Sequence, residues 1–341
     1  MPISLKTHKI LWGKSGNRCA FPECRIELVV DESLTDDPSI IGQEAHIVAR
    51  SPDGPRGDNE MNNGERDKYS NLILLCGNHH KIIDDQQEEY TIKKLQKFKS
   101  KHEEWVSNNL NLDEEKLKDE KLYASYIDKF IEFTDLHNWT NWTSYILGVT
   151  MEFPKDNFDM LMKTPDYIVS RVWPGRYEEL EASLINFKNV INDLVMVYYM
   201  HPLEKPNAYA IERFYKNFQR EMFYRDEDSY DQQKEIDAVN RYDYHLALII
   251  DLVVELTRAL NYVCDKIRKY LFEGFRIDEG VILISRFDWM SNQTYRVEYR
   301  GLERTQYPYT GLKNFMKERE KRDYYIGTGV NEDYFARLPW E

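Results

Sequence analysis

The strongest periodic signal in the chain lies between 234 and 272, where Leu246, Ile249, Ile250, Val253, Leu256, Leu260, Val263, Ile267, Tyr270 and Leu271 recur every three or four residues. That spacing predicts one long helix with a broad apolar stripe, the spine of a helical bundle. Shorter patterns of the same kind predict helices over 123–136, 139–150, 177–200 and 208–220. After Gly274 the pattern changes, and 281–287 and 294–299 read as strands. The first third is organised differently. A short helix over 5–13 leads to a turn from Cys19 to Cys24 with Pro22 inside it, a polar loop over 31–38, a strand over 40–48 and a Pro/Gly/Asn-rich loop from Ser51 to Arg66. Loops of that length in compact domains usually serve function. Asn71 opens an apolar run that ends at Cys76, and Thr91 is a candidate N-cap for a helix carrying Ile92, Leu95, Phe98, His102 and Trp105. Between the two halves, 107–121 loses its aromatic residues and becomes charge-dense. The expected organisation is a domain over 1–106, a linker over 107–121 and a mainly helical domain with a few late strands over 122–341, together an α+β chain.

Composition sets the class. With 341 residues, 42% hydrophobic and 31% charged, the chain suits two globular domains of ordinary size. Its longest apolar stretch, Leu246 to Leu260, is interrupted by Asp251, Glu255 and Arg258, and the first nine residues lack the apolar core of a signal peptide. No membrane partner is expected. Four cysteines, three of them in the first quarter, do not make a disulfide framework, so a reducing cytoplasm is the expected compartment.

The net charge of -13 argues against a polyanion partner, but it is unevenly spread: residues 1–105 hold 15 Lys+Arg and 18 Asp+Glu, a balance of -3. Basic residues cluster there as Lys6, Lys9, Lys14, Arg18 and Arg25, as Arg50 and Arg56, and as Lys93, Lys94, Lys97, Lys99 and Lys101. Such patches either bind nucleic acid locally or form solvated faces.

Cys19 and Cys24, then Cys76 and His79 separated by two residues, supply the four soft donors of a closed tetrahedral zinc site. His80 is the alternative fourth ligand. A closed site leaves no position for water, so the histidines left over, His46 and His80, read as a catalytic pair.

Several segments resemble the HNH endonucleases: Leu11-Trp12 with Ser15-Gly16-Asn17-Arg18-Cys19, the run from Ala45-His46-Ile47 to Pro55-Arg56, Asn71-Leu72, Cys76, His79-His80 and Asp84. The likeness covers about residues 5–106 and is nearest to HNH effector domains of bacterial anti-phage systems, including those of cyclic-oligonucleotide signalling. Two positions depart from the pattern: His79 stands where many relatives carry cysteine, and Ala45 where many carry aspartate. The resemblance implies a zinc-clamped ββα-metal domain that hydrolyses phosphodiester bonds of double-stranded DNA. It implies His46 as general base and a Mg2+ or Mn2+ ion with His80 as ligand, while Asn71 either ligates that ion or holds the loop carrying the base. Glu44, on the strand face of His46, is a further candidate ligand. Asp84 would orient His80 from the next helical turn. Arg50 and Arg56 are candidate phosphate clamps. The helical half is then expected to regulate the nuclease, through a defence-system partner protein, a signal ligand or assembly into a homo-oligomer. The competing expectation is a zinc-stabilised DNA-binding module without catalysis.

Overall fold

The computed structural model describes residues 3–30, 39–110, 113–213, 215–216, 232–287, 292–301, 308–331 and 334. The expected polar loop at 31–38 lies outside these residues. The chain divides into two compact units, Met1–Lys129 with Leu271–Gly274, and Phe130–Tyr270 with Phe275–Glu341. The division falls at 129/130 and not across 107–121.

The first unit contains α1 (Leu5–Ser15), β1 (Val29–Val30), β2 (Ser39–Ile40), β3 (Gly42–His46), α2 (Asn63–Arg66), β4 (Leu72–Cys76), α3 (Gly77–Asp85), α4 (Ile92–Asn109) and the start of α5 (Glu114–Thr134). Strands β3 and β4 are antiparallel, with Gly42 opposite Cys76 and His46 opposite Leu72. Every residue of β4 is buried, because α1 and α4 pack against the strand as well as α3. A strand covered on both faces reads as a continuous apolar run, and Leu-Ile-Leu-Leu is one. Leu11, Leu28, Ile47, Ile83 and Leu95 complete this core around β4.

Helix ends are set by short-range chemistry. The Ser4 hydroxyl accepts from Thr7 N at 3.2 Å, and Asp128 on α5 accepts from Leu5 N at 2.8 Å and Lys6 N at 3.0 Å, placing a carboxylate on the positive end of α1. Thr91 caps α4 as its sequence position suggests, accepting from Lys94 N at 3.4 Å. Residues of the charged 107–121 run are thus helical in part, and Glu120 pairs with Lys9 at 3.1 Å.

The second unit contains the end of α5, α6 (Trp139–Ile146), β5 (Phe153–Pro154), α7 (Lys155–Leu161), α8 (Lys163–Ser170), α9 (Glu178–Tyr198), β6 (Pro202–Glu204), β7 (Ala208–Ile211), α10 (Gln232–Tyr270), β8 (Leu283–Phe287), β9 (Asn292–Arg296) and α11 (Leu312–Glu318). Helix α10, packed on α9, is the expected spine. It is more than amphipathic, however: every residue from Leu248 to Asn261 is buried, including Asp251, Glu255, Thr257, Arg258 and Asn261. These polar groups find partners inside the unit. Glu255 meets Arg258 at 3.1 Å and the Tyr299 hydroxyl at 2.8 Å, and Asn261 bonds the backbone of Ile282 and Val297.

One expectation changes here. Ala208–Ile211 is not the start of a helix but the central strand of the sheet β5-β7-β6, because Pro202 starts β6, Pro206 lies in the turn that leads into β7, and the alternating Ala-Tyr-Ala-Ile buries one side. The rest of the expected 208–220 helix falls mostly outside the described residues. Trp139, Trp142 and Tyr198 are 1–2% exposed and form core. Among the described residues no helix is long and apolar enough to cross a membrane.

Candidate active site and metal centre

Cys19 and Cys24 bracket the turn after α1, while Cys76 ends β4 and His79 sits in the first turn of α3. The donor atoms of all four lie within 4.8 Å of one another. His79 Nδ1 is 3.1 Å from Cys76 Sγ and 3.6 Å from Cys19 Sγ, and zinc bond lengths in a tetrahedron require about 3.6 Å between a sulfur and a nitrogen donor. The Cys76 amide donates to Cys19 Sγ at 3.4 Å, and the Phe21 ring stacks on His79 at 3.9 Å, which fixes the imidazole plane. Burial pushes the Cys19 thiol up to about 12, so a thiolate here needs a cation beside it; burial also holds His79 below its ordinary value, in the neutral form that ligates. These residues fit a soft, four-coordinate ion. Since His79 Nδ1 faces the thiols, His80 is left for another role.

His46 ends β3. Its Nε2 lies 3.0 Å from Asp67 Oδ1, and the other oxygen of Asp67 lies 3.4 Å from Arg50 Nε. A carboxylate that accepts from Nε2–H fixes the tautomer and leaves Nδ1 with its lone pair. Asp67 carries no sequence signal of its own; only its position four residues before Asn71, beside the buried Arg66, hints at it.

Asn71 is 2% exposed and fully engaged. Its Oδ1 accepts from Val48 N at 2.9 Å, and its Nδ2 donates to Val48 O and Arg66 O, both at 2.8 Å. Of its two expected roles, these bonds are those of the clamp: the oxygen and both amide protons bond the backbone at the two ends of the loop after His46. Asn71→Ala would strand three buried backbone groups at about 1–3 kcal/mol each. A loss of about 3 kcal/mol or more in urea unfolding of the first unit is expected, with Asn71→Asp, which keeps the acceptor, losing less.

The loop from Ala49 to Arg66 is organised from within by two arginines. Arg66, 3% exposed, donates to the carbonyls of Ala49, Gly57, Asn59 and Met61. Gly57 permits the tight fold, since a Cβ there would run into the Ser51 and Pro52 carbonyls. Arg56 is the second. Its side chain, 5% exposed, donates to Ile47 O at 2.7 Å, Ile83 O at 2.5 Å and Asp84 Oδ1 at 2.7 Å. It is a bracket between β3 and α3 and offers no guanidinium to DNA, which corrects its reading as a phosphate clamp. Its positive φ of 56° is strained for a side-chain-bearing residue and is held by those bonds. Arg56→Ala is expected to lower stability by about 3 kcal/mol in chemical denaturation, by leaving carbonyls and Asp84 without donors. Arg50, with its side chain 57% exposed, keeps a place at the surface beside Asp67.

His80 lies between two partners, with Nδ1 2.7 Å from Gln43 Oε1 and Nε2 3.3 Å from Asp84 Oδ2. With Nδ1–H donated to Gln43, two acceptors face each other at Nε2 unless a proton or a cation lies there. Neighbouring ligands of one six-coordinate hard ion stand about 3 Å apart, so His80 and Asp84 fit as part of such a site. Glu44 does not join them. Neighbours on a strand point to opposite faces, and while Gln43 meets His80, Glu44 turns to α1, accepting from Trp12 Nε1 at 2.7 Å and pairing with His8 at 2.6 Å. The expected set of His80, Asn71 and Glu44 around one ion is therefore not brought together; the carboxylate beside His80 is Asp84.

Two antiparallel strands followed by a helix thus form a ββα unit that carries a cysteine–histidine cluster, one histidine on the strand and another on the helix. Residues 19–87 match the HNH endonuclease family, whose members are nucleases. No curated protein matches the chain.

Proposed function

We propose that the first unit is a metal-dependent endonuclease that hydrolyses phosphodiester bonds of double-stranded DNA. The observation that carries this reading is His46 held by Asp67 through Nε2, on a loop anchored by Asn71 and Arg66. In this mechanism Nδ1 of His46 takes the proton of the attacking water, and the Asp67 carboxylate stabilises the imidazolium that results. Asn71 fixes the backbone at Val48 so that the base keeps its aim. His80 and Asp84 would hold a Mg2+ or Mn2+ ion, which when bound supplies neutralisation of charge on the phosphate. Arg56 orients Asp84 and, through the same guanidinium, ties that pair to the end of β3. Cys19, Cys24, Cys76 and His79 hold a structural zinc ion and take no part in the chemistry.

The second unit has the buried apolar interior of a folded domain and is read as regulatory, acting through a partner protein, a signal ligand or self-assembly. Together with the motif likeness, this supports a regulated effector of anti-phage defence. Four free cysteines fit a cytoplasmic site of action. The test is cleavage by the purified full chain with magnesium or manganese, on supercoiled plasmid, single-stranded DNA and RNA in parallel. Nicking and linearisation of plasmid are expected. Cleavage of RNA with plasmid untouched would overturn the substrate assignment.

A further inference from the structure

A cleft of about 400 Å3 between the cysteine turn and α4 takes no part in the site above. Phe21 and Arg25 line it from the turn; Lys94, Lys97, Phe98 and Lys101 line it from α4, and Glu23 is the one acidic side chain among its lining residues. The structure divides the lysine run of α4. Lys99 turns inward, 8% exposed, and donates to Leu72 O at 2.7 Å, whereas Lys94, Lys97 and Lys101 follow the three- and four-residue spacing of one helix face. Lys94 is paired with Glu89, and Arg25 lies over the Trp105 ring at 4.0 Å. Among the described residues, neither Lys97 nor Lys101 is paired with a carboxylate. Cations stacked one turn apart repel each other, and here the repulsion is retained on a chain of net charge -13.

We propose that this cleft binds backbone phosphates of a nucleic-acid strand outside the cleaved bond, an inference that rests on the nuclease reading above. Lys97 and Lys101 are about 6 Å apart along the helix axis, close to the step between successive phosphates of one strand. The aromatic rings do not stack bases. One face of Phe21 is taken by His79, and Phe98 meets Phe21 edge-on at 5.5 Å. Cations without an open ring face read charge and not sequence. His79 of α3 stacks on the Phe21 wall of the cleft, and the next residue, His80, belongs to the catalytic side.

The test uses the full chain with Lys97→Glu and Lys101→Glu combined; both side chains are exposed, so zinc content and helical circular dichroism should be unchanged. Binding of a fluorescein-labelled duplex is followed by anisotropy in calcium over a range of salt. Affinity should fall at least tenfold at low salt, and the slope of log K against log salt should shrink by about 2, at about 0.9 per phosphate contact. Lys97→Arg with Lys101→Arg should restore both. In cleavage, KM should rise while kcat stays.

Unchanged affinity and slope, absence of duplex binding by the wild type, or an effect confined to a free nucleotide or an acidic peptide would each overturn the inference. Cleavage that depends on His46 but not on these lysines would sink the cleft alone. Lysine-dependent binding without any cleavage would instead sink the nuclease reading and leave the cleft standing.

Discussion

His46→Ala should lower the rate of DNA cleavage by about 10²–10⁴-fold, the usual contribution of a positioned general base, or about 3–5 kcal/mol of transition-state stabilisation. Fold and metal content should not change. His46 is only partly buried, and its side-chain bond is to Asp67, itself at the surface of the loop, so little packing is lost. The fall should appear in kcat more than in KM, because the imidazole acts on water and not on the phosphate. Asp67→Asn should give a smaller loss, about 10–100-fold, the scale seen for partners that orient an imidazole without touching substrate. This pair of variants also decides against a binding-only module. Cleavage by the wild type that vanishes in a folded, zinc-loaded His46→Ala protein is incompatible with that alternative; equal cleavage by the two would end the assignment of His46 as base.

Some of this was legible in the sequence because the physics is local. Short cysteine spacings, a threonine ahead of a periodic run, and apolar residues every three or four positions act within a few residues, and the cluster around His79, the cap of α4 and the spine α10 follow them. What was not legible depends on residues far apart in sequence. Arg56 and Arg66 look like solvated loop arginines because charge ordinarily means surface, yet both are buried, held by carbonyls that no pattern announces. Asp67 became visible only when the loop brought it back to His46. Glu44 was placed on the correct face of β3, but that face proved to be the one covered by α1. The strand at Ala208–Ile211 was hidden because four residues of alternation are too few to outweigh a nearby helical pattern.

Cys19→Ser should have the largest effect on structure. The turn it opens is closed on itself by Cys19 N to Ile26 O at 3.0 Å and Leu28 N to Asn17 O at 2.8 Å, and Ala20 N to Leu74 O at 2.9 Å ties it to β4. The ββα unit itself has two five-residue strands and a nine-residue helix, a small core for independent stability. A zinc ion held by the cluster would contribute much of the folding free energy, about 10 kcal/mol or more at neutral pH. About one zinc per chain is expected by mass spectrometry of acid-digested protein, and loss of that zinc with loss of protease resistance over the first unit is expected for Cys19→Ser. Cys264→Ala is the control: that thiol is buried in α10 and should leave the zinc in place. The adjacent histidines then separate the two metal roles. His79→Ala should lose zinc and fold together, because its Nδ1 closes the tetrahedron, whereas His80→Ala should keep zinc and fold and lose cleavage. The reverse result would assign the fourth ligand to His80 and remove it from the active site, and a well-folded wild type without zinc would remove the clamp altogether.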